Sequence, residues 1–162
     1  MKQRVLFLCT ANSCRSQMAE GLINHYLGDR IAAFSAGTEA TSVNPRAVAV
    51  MREIGIDISH HHSKCLTEFE GERFDYVITL CGSAKERCPL FFGGVERIHL
   101  GFDDPAGASG DESEIMAEFR RVRDDLKERL IAFFSVSCGC SARKCGCGEN
   151  QPDSDLRKGD KR

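Results

Sequence analysis

The beginning of the chain constrains the fold more than any other segment. Four consecutive apolar residues, Val5 to Leu8, are typical of a buried strand. Apolar residues at helical spacing follow at once, with Met18, Leu22 and Ile23 on one stripe. The loop between strand and helix must therefore bend around the free N–H groups of a helix N-terminus, which is a ready anion site. The sequence predicts a strand–loop–helix unit with an anion pocket at the bend.

Cys9 opens this loop and Arg15 closes it, with five residues between them. The loop amides and Arg15 would stabilise a thiolate at Cys9 and make it nucleophilic at neutral pH. A guanidinium group can also hold two oxygens of a tetrahedral oxyanion. We expect the oxyanion to be bound by the whole loop after Cys9, which consists of Thr10, Ala11, Asn12, Ser13, Cys14, Arg15 and Ser16.

Individual loop residues carry further expectations. Asn12 tolerates a left-handed backbone, and the hydroxyl groups of Ser13 and Ser16 can stabilise a thiolate. Cys14 is expected to pack rather than to react. For each polar residue taken alone, ordinary loop chemistry is an equal alternative.

Composition excludes several classes of protein. The chain has 162 residues, a formal charge of −2 and nine cysteines, and its isoelectric point is near 6.2. Neither nucleic-acid nor membrane binding is indicated, because there is no basic excess and no run of eighteen apolar residues. Stable disulfides are rare in the cytoplasm, where we expect this protein, so its thiols should be catalytic, redox-active or metal-binding.

Strands alternate with helices along the rest of the chain. Apolar strands are predicted at 30–36, 76–80 and 95–100, and a long helix is predicted after Asp111 and Glu114, which suit a capping box. This order indicates one α/β domain, a three-layer arrangement with a four-stranded parallel sheet flanked by helices. The domain should span residues 1–134, followed by a Cys-rich, flexible extension over 135–162.

Two further groups should lie at the carboxyl ends of the strands, where ligands bind in such sheets. Asp103-Asp104-Pro105 follows the fourth strand and could supply a general acid. Cys81 ends the third strand, and Cys88 follows seven residues later. A phosphatase needs no thiols here, whereas a reductase that regenerates itself through a disulfide does. On a helix the two sulfurs would lie about 10 Å apart, beyond the roughly 7 Å between Cα atoms that a disulfide allows, so the segment must refold to oxidise.

These motifs together resemble the thioredoxin-coupled arsenate reductases, which have the low-molecular-weight protein tyrosine phosphatase fold. The resemblance covers about residues 4–134. The matching stretches are Cys9 to Gly21, Ser35-Ala-Gly37, Asn44-Pro45, Thr79-Leu-Cys81, Cys88-Pro89 and Gly101-Phe-Asp-Asp-Pro-Ala106.

The resemblance implies an activity and a set of roles. Cys9 would attack arsenate, Arg15 would bind its oxygens, and Asp104 would protonate the leaving oxygen. Cys81 would then attack Cys9 and release arsenite, and Cys88 would attack Cys81 to leave a disulfide that thioredoxin reduces. No cofactor is required for this activity, and we expect a monomer. The alternative within the same family is a low-molecular-weight tyrosine phosphatase, which Cys81 and Cys88 disfavour.

Two positions depart from the family pattern. Ala11 stands where the family usually has glycine, and it would strain the loop by ~1–2 kcal/mol if that position requires a positive φ. Lys64 stands where some relatives have an aspartate that ligates potassium, and its ammonium group could replace the cation. A solvated surface lysine is an equal alternative.

The C-terminal extension holds a second set of thiols. Cys138, Cys140, Cys145 and Cys147 form two Cys-x-Cys pairs within ten residues. Four soft thiolates suit zinc or arsenite, although zinc sites more often contain Cys-x2-Cys. A reduced tail without a ligand is the alternative. A third class of function remains open on this basis, a thiol-based metal or arsenite-binding protein.

Overall fold

A four-stranded sheet forms the centre of the molecule. The computed structural model describes residues 1–82 and 96–137. All pairs of adjacent strands are parallel and the order is β2-β1-β3-β4. The strands are β1 (Gln3–Cys9), β2 (Ile31–Gly37), β3 (Tyr76–Thr79) and β4 (Glu96–His99). The predicted α/β class and the parallel sheet are confirmed, with strand ends that differ by at most two residues from the expected ones.

The helices follow the strands as expected. They are α1 (Arg15–Leu27), α2 (Pro45–Glu53) and α3 (Glu112–Ser137), with short 3-10 helices at Leu66–Phe69 and Pro105–Gly107. In the described part of the chain, no helix is both long and apolar enough to cross a membrane.

Local signals explain where two of these helices begin. The side chain of Asn44 accepts a hydrogen bond from the backbone N–H of Arg46, and Pro45 occupies the first turn of α2. Asp111 and Glu114 each bind the other's backbone N–H at 2.9 Å, which is the predicted capping box of α3. This helix continues to Ser137, three residues beyond the expected end of the domain.

The sheet separates two clusters of buried side chains. Because side chains of a strand alternate between faces, Val5 and Phe7 of β1 pack with the three helices, while Leu6 and Leu8 face the other side. There they meet the 3-10 helix Leu66–Phe69. With both faces of β1 buried, the loop that follows it starts from a rigid support.

Candidate active site

The anion pocket predicted after β1 is present as a cavity. It has a volume of about 320 Å³ and lies beyond the carboxyl end of β1. Its lining consists of the loop residues and two residues from the segment after β4, namely Cys9, Thr10, Ala11, Ser13, Cys14, Arg15, Asp104 and Ala106. Asn12 and Ser16, which we also expect to bind the oxyanion, are fully buried and do not line the cavity. Their side chains hold the loop in place.

The sulfur of Cys9 lies at the floor of the site. Cys9 is 2% exposed, and its Sγ is 2.8 Å from the hydroxyl oxygen of Ser16. The same hydroxyl oxygen accepts a hydrogen bond of 2.8 Å from the side-chain amide of Asn12. The hydroxyl group of Ser16 is thus placed to stabilise a thiolate, as its position in the sequence suggested.

The loop makes its sharp turn at Asn12 rather than at Ala11. Among the described residues, Asn12 is the one non-glycine residue with a positive φ, at 48°. The strain expected at Ala11 is therefore absent, because the left-handed position is the next residue along. Asparagine tolerates this conformation better than most residues, and hydrogen bonds from its neighbours hold its side chain.

A close approach of two backbones brings β2 against the loop. A Cβ atom on Gly37 would lie 2.6 Å from the carbonyl oxygen of Thr10 and 2.7 Å from the backbone nitrogen of Asn12. Only glycine fits this position without displacing the loop. The Ser35-Ala-Gly37 motif thereby supports the anion pocket from below.

Asp104 lies at the entrance to the cavity, beside Arg15. Its carboxylate is 3.3 Å from a guanidinium nitrogen of Arg15 and is half exposed. Arg15 also donates to the carbonyl oxygen of Phe102 at 3.2 Å, which sets the direction of its side chain. Asp103 turns away and binds Arg121 at 2.9 Å. Of the two adjacent aspartates, the structure brings Asp104 to the site.

Cys81 follows β3 and lies beside Thr10, which lines the same pocket. It is 8% exposed, belongs to the same buried cluster as Cys9, and its sulfur is 3.4 Å from the hydroxyl group of Thr10. Its expected partner Cys88 lies outside the described residues, as do the four cysteines of the C-terminal extension. The described residues therefore give the positions of the first two thiols of the expected relay, Cys9 and Cys81.

Two further thiols, those of Cys14 and Cys65, have environments that differ from that of Cys9. Burial raises the pKa of the Cys14 thiol to about 11, so it stays protonated at neutral pH and does not compete with Cys9. Cys65 is partly exposed, and a hydrogen bond with Thr67 lowers the pKa of its thiol.

Lys64 lies beneath the loop, where the cation hypothesis requires it. Its ammonium nitrogen is 3.7 Å from the carboxylate of Glu20, which also accepts a hydrogen bond from Ser35, and 3.1 Å from the carbonyl oxygen of His62. Both charged side chains are largely buried, at 13% and 14% exposure. Lys64 thus neutralises a buried carboxylate that would otherwise need another cation. Residues 1–82 and 96–137 contain no group of histidine, cysteine and acidic side chains that could hold a metal ion.

Sequence reasoning missed two contributors to the site. The carbonyl oxygen of Phe102 orients Arg15, and no sequence signal could have identified a backbone atom. Gln17 is fully buried and donates to Asn12. A polar residue that directly precedes the apolar stripe of α1 was the available signal.

The chain is similar to a known protein family and to individual relatives. The family model of low molecular weight phosphotyrosine protein phosphatase matches residues 4–141. An arsenate reductase of Halalkalibacterium halodurans is 52% identical over 132 residues, which are 82% of this chain and 95% of the relative. An arsenate reductase of Bacillus subtilis is 51% identical over 129 residues, 80% of this chain and 93% of the relative.

Solved structures show the same likeness. An arsenate reductase in its phosphate-binding state superposes with a TM-score of 0.71 at 36% identity, over 83% of this chain and 98% of that one. A thioredoxin-dependent arsenate reductase of Corynebacterium glutamicum has a TM-score of 0.62 at 29% identity, over 84% of this chain and 63% of that one.

Proposed function

We propose that the protein reduces arsenate to arsenite, because it belongs to the low molecular weight phosphotyrosine protein phosphatase family and about half of its aligned residues are identical to those of two arsenate reductases. One observation carries this proposal. A second buried thiol, Cys81, lies 3.4 Å from the hydroxyl group of Thr10, which lines the oxyanion pocket together with Cys9. A hydrolase has no use for that thiol, whereas a reductase needs it to accept the oxidation.

The first step forms a bond between sulfur and arsenic. Arg15 and the loop amides bind the oxygens of arsenate, and the thiolate of Cys9 attacks the arsenic atom. A hydroxyl group leaves, and Asp104 at the entrance to the cavity supplies the proton that turns it into water. Arg15 contacts Asp104 directly, at 3.3 Å, so substrate binding and protonation occur on neighbouring groups.

The second step transfers the electrons. The thiolate of Cys81 attacks the sulfur of Cys9, a disulfide forms between them, and the electron pair of the sulfur–arsenic bond stays on arsenic. Arsenic(V) is thereby reduced to arsenic(III) and released as arsenite. Support for this step comes from the 3.4 Å between the sulfur of Cys81 and the hydroxyl group of Thr10, the loop residue that directly follows Cys9.

The third step exports the oxidation. Cys88 attacks Cys81, which frees Cys9 and leaves a Cys81–Cys88 disulfide for an external dithiol to reduce. We assign the dithiol to thioredoxin, since a structural relative at 29% identity is described as thioredoxin-dependent. In each cycle the thiols of Cys81 and Cys88 are oxidised to a disulfide, and the two electrons they lose are those that reduce arsenic.

The three-cysteine relay needs no cofactor, because sulfur supplies both electrons and Lys64 supplies the positive charge beside Glu20. A thiol relay works best where thiols are kept reduced, which favours the cytoplasm. We infer that the protein acts as a monomer, since Cys9, Arg15, Asp104 and Cys81 all come from one chain.

The C-terminal extension is proposed as a separate unit over residues 135–162. Its four cysteines, Cys138, Cys140, Cys145 and Cys147, would bind zinc or arsenite through soft thiolates. The last turns of α3 pack against Tyr76 at the start of β3, which is the end of the sheet opposite to Cys9.

Arsenate-dependent consumption of NADPH, measured with thioredoxin and thioredoxin reductase, tests the proposal. The wild type should turn over repeatedly, Cys9→Ser should be inactive, and Cys88→Ser should stop after one equivalent of arsenite. Cys65→Ser is the matched control, since Cys65 lies outside the relay, and it should behave like the wild type.

Hydrolysis of an aryl phosphate distinguishes the phosphatase alternative, because the same pocket accepts phosphate. Efficient hydrolysis without arsenate turnover, in wild type and Cys88→Ser alike, would show a phosphatase. Arsenite binding without either activity would favour a thiol-based binding protein.

A further inference from the structure

A chain of four hydrogen bonds runs beneath the anion loop and ends on the sulfur of Cys9. Nδ1 of His61 lies 3.0 Å from Oε1 of Gln17, and Nε2 of Gln17 lies 2.9 Å from Oδ1 of Asn12. Nδ2 of Asn12 lies 2.8 Å from the hydroxyl oxygen of Ser16, which is 2.8 Å from Sγ of Cys9. Gln17, Asn12 and Ser16 are fully buried, so water does not compete for these bonds.

The direction of the inner bonds follows from a backbone group. The N–H of Lys64 can only donate, and it lies 2.7 Å from Oδ1 of Asn12. That atom must therefore be the amide oxygen, and the amide nitrogen of Asn12 must face Ser16. Because the hydroxyl oxygen of Ser16 accepts from Asn12, its single proton is left to be donated to Cys9. A sulfur that accepts a hydrogen bond in this way is stabilised as the thiolate.

The direction of the outer bonds follows in the same way. Nε2 of Gln17 lies within 3.2 Å of the carbonyl oxygen of Asn12 and 3.0 Å of the carbonyl oxygen of His62. Both of these atoms can only accept, so the Gln17 atom is the donating nitrogen. Its oxygen then faces His61, and Nδ1 of His61 must carry a proton. All four bonds donate toward Cys9.

We propose that Gln17 and His61 are positioning residues that extend this chain and so strengthen the hydrogen bond that Ser16 donates to the sulfur of Cys9. Hydrogen bonds aligned head to tail polarise one another, so the outer members strengthen the last bond. The consequence for arsenate reduction rests on the proposed function. The effect on Cys9 itself does not, and it can be measured without arsenate.

The rate at which iodoacetamide alkylates Cys9, followed by mass spectrometry across a pH series, tests the role of Gln17. Gln17→Met keeps the length of the side chain but removes its donors. We expect the pH midpoint of alkylation to rise by about one unit, with alkylation about tenfold slower at neutral pH. His61→Ala should raise the midpoint less, because the carbonyl oxygen of His62 still holds the amide of Gln17.

Asn24→Leu is the matched control. Asn24 is an amide on the same helix and binds the backbone of Ala33 at 2.9 and 3.0 Å, without contact to the loop. It should lower the melting temperature and leave the midpoint of Cys9 alkylation unchanged. If Gln17→Met also lowers only the melting temperature, Gln17 is merely structural and the proposal is wrong.

A second measurement uses the unaltered protein and needs no variant to fold. Burial lowers the pKa of His61, so its ring is neutral at about pH 8. Nitrogen-15 NMR of the ring should then show the proton on Nδ1. A proton on Nε2 instead would reverse the first bond and overturn the proposal. Both tests keep their meaning if the protein proves unable to reduce arsenate, so failure of the proposed function can be told apart from failure of this inference.

Discussion

At the scale of single residues, adjacent side chains of the same type take different roles. Asp103 and Asp104 follow one another, yet the first binds Arg121 on α3 and the second faces Arg15 at the cavity. Among the cysteines, burial raises the pKa of the Cys14 thiol, while the sulfur of Cys9 lies in hydrogen-bond contact with the hydroxyl group of Ser16. Residue type alone therefore does not assign the chemistry, because the contacts of each side chain decide it.

The pair of aspartates offers a direct test of the general acid. Asp104→Asn removes the proton donor and should slow the first turnover of arsenate by roughly 10²-fold, the lower end of the usual range for a general acid. Asp103→Asn is the matched control and should retain the wild-type rate. The measurement is arsenite formed in a rapid-quench experiment with reduced enzyme. Equal rates for the two variants would remove Asp104 from the mechanism.

At the scale of elements, the anion loop depends on the backbone of β2 as much as on its own sequence. The end of β2 at Gly37 lies against the backbone of Thr10 and Asn12, and its N–H donates to the carbonyl oxygen of Lys64 at 2.8 Å. Protein interiors are packed closely enough that a single methyl group at such a contact must move one backbone or the other.

Gly37→Ala should consequently loosen the anion pocket. We expect the free energy of unfolding to fall by about 1–3 kcal/mol, and phosphate to protect Cys9 from alkylation about tenfold less well. Urea denaturation and protection by inorganic phosphate measure the two effects. Gly107→Ala is the control, because a Cβ atom there meets no atom within 4 Å. Unchanged phosphate affinity in Gly37→Ala would contradict the support assigned to β2.

At the scale of the whole molecule, the domain and its extension should be separable. Phe134 is 2% exposed in the main core and α3 continues to Ser137, so a cut after Ser137 keeps the helix intact, whereas a cut after Phe134 would shorten it.

Truncation after Ser137 should leave the rate of arsenate reduction within about twofold of the full-length rate, since the reacting thiols all precede α3. If the extension binds zinc or arsenite, truncation should abolish that binding, and replacing its four cysteines by serine in the full-length chain should do the same. Metal analysis and equilibrium dialysis with arsenite measure it. Unchanged zinc content and arsenite affinity in both variants would exclude a binding site in the extension.

The sequence by itself determined the local units. The apolar run before Cys9, the helical stripe after Arg15 and the capping box of Asp111 and Glu114 depend on neighbours a few residues away, so periodicity and residue type were sufficient. The parallel sheet followed from the order of such units, and the family resemblance followed from the motifs.

Only the tertiary structure decided how these units meet. It placed the left-handed turn at Asn12 rather than Ala11, chose Asp104 over Asp103, and buried Gln17 under the loop. Each of these outcomes depends on contacts between segments distant in sequence, such as Lys64 with Asn12 and Phe102 with Arg15. The register of the strands and the packing of the loops create those contacts, and no local pattern encodes them.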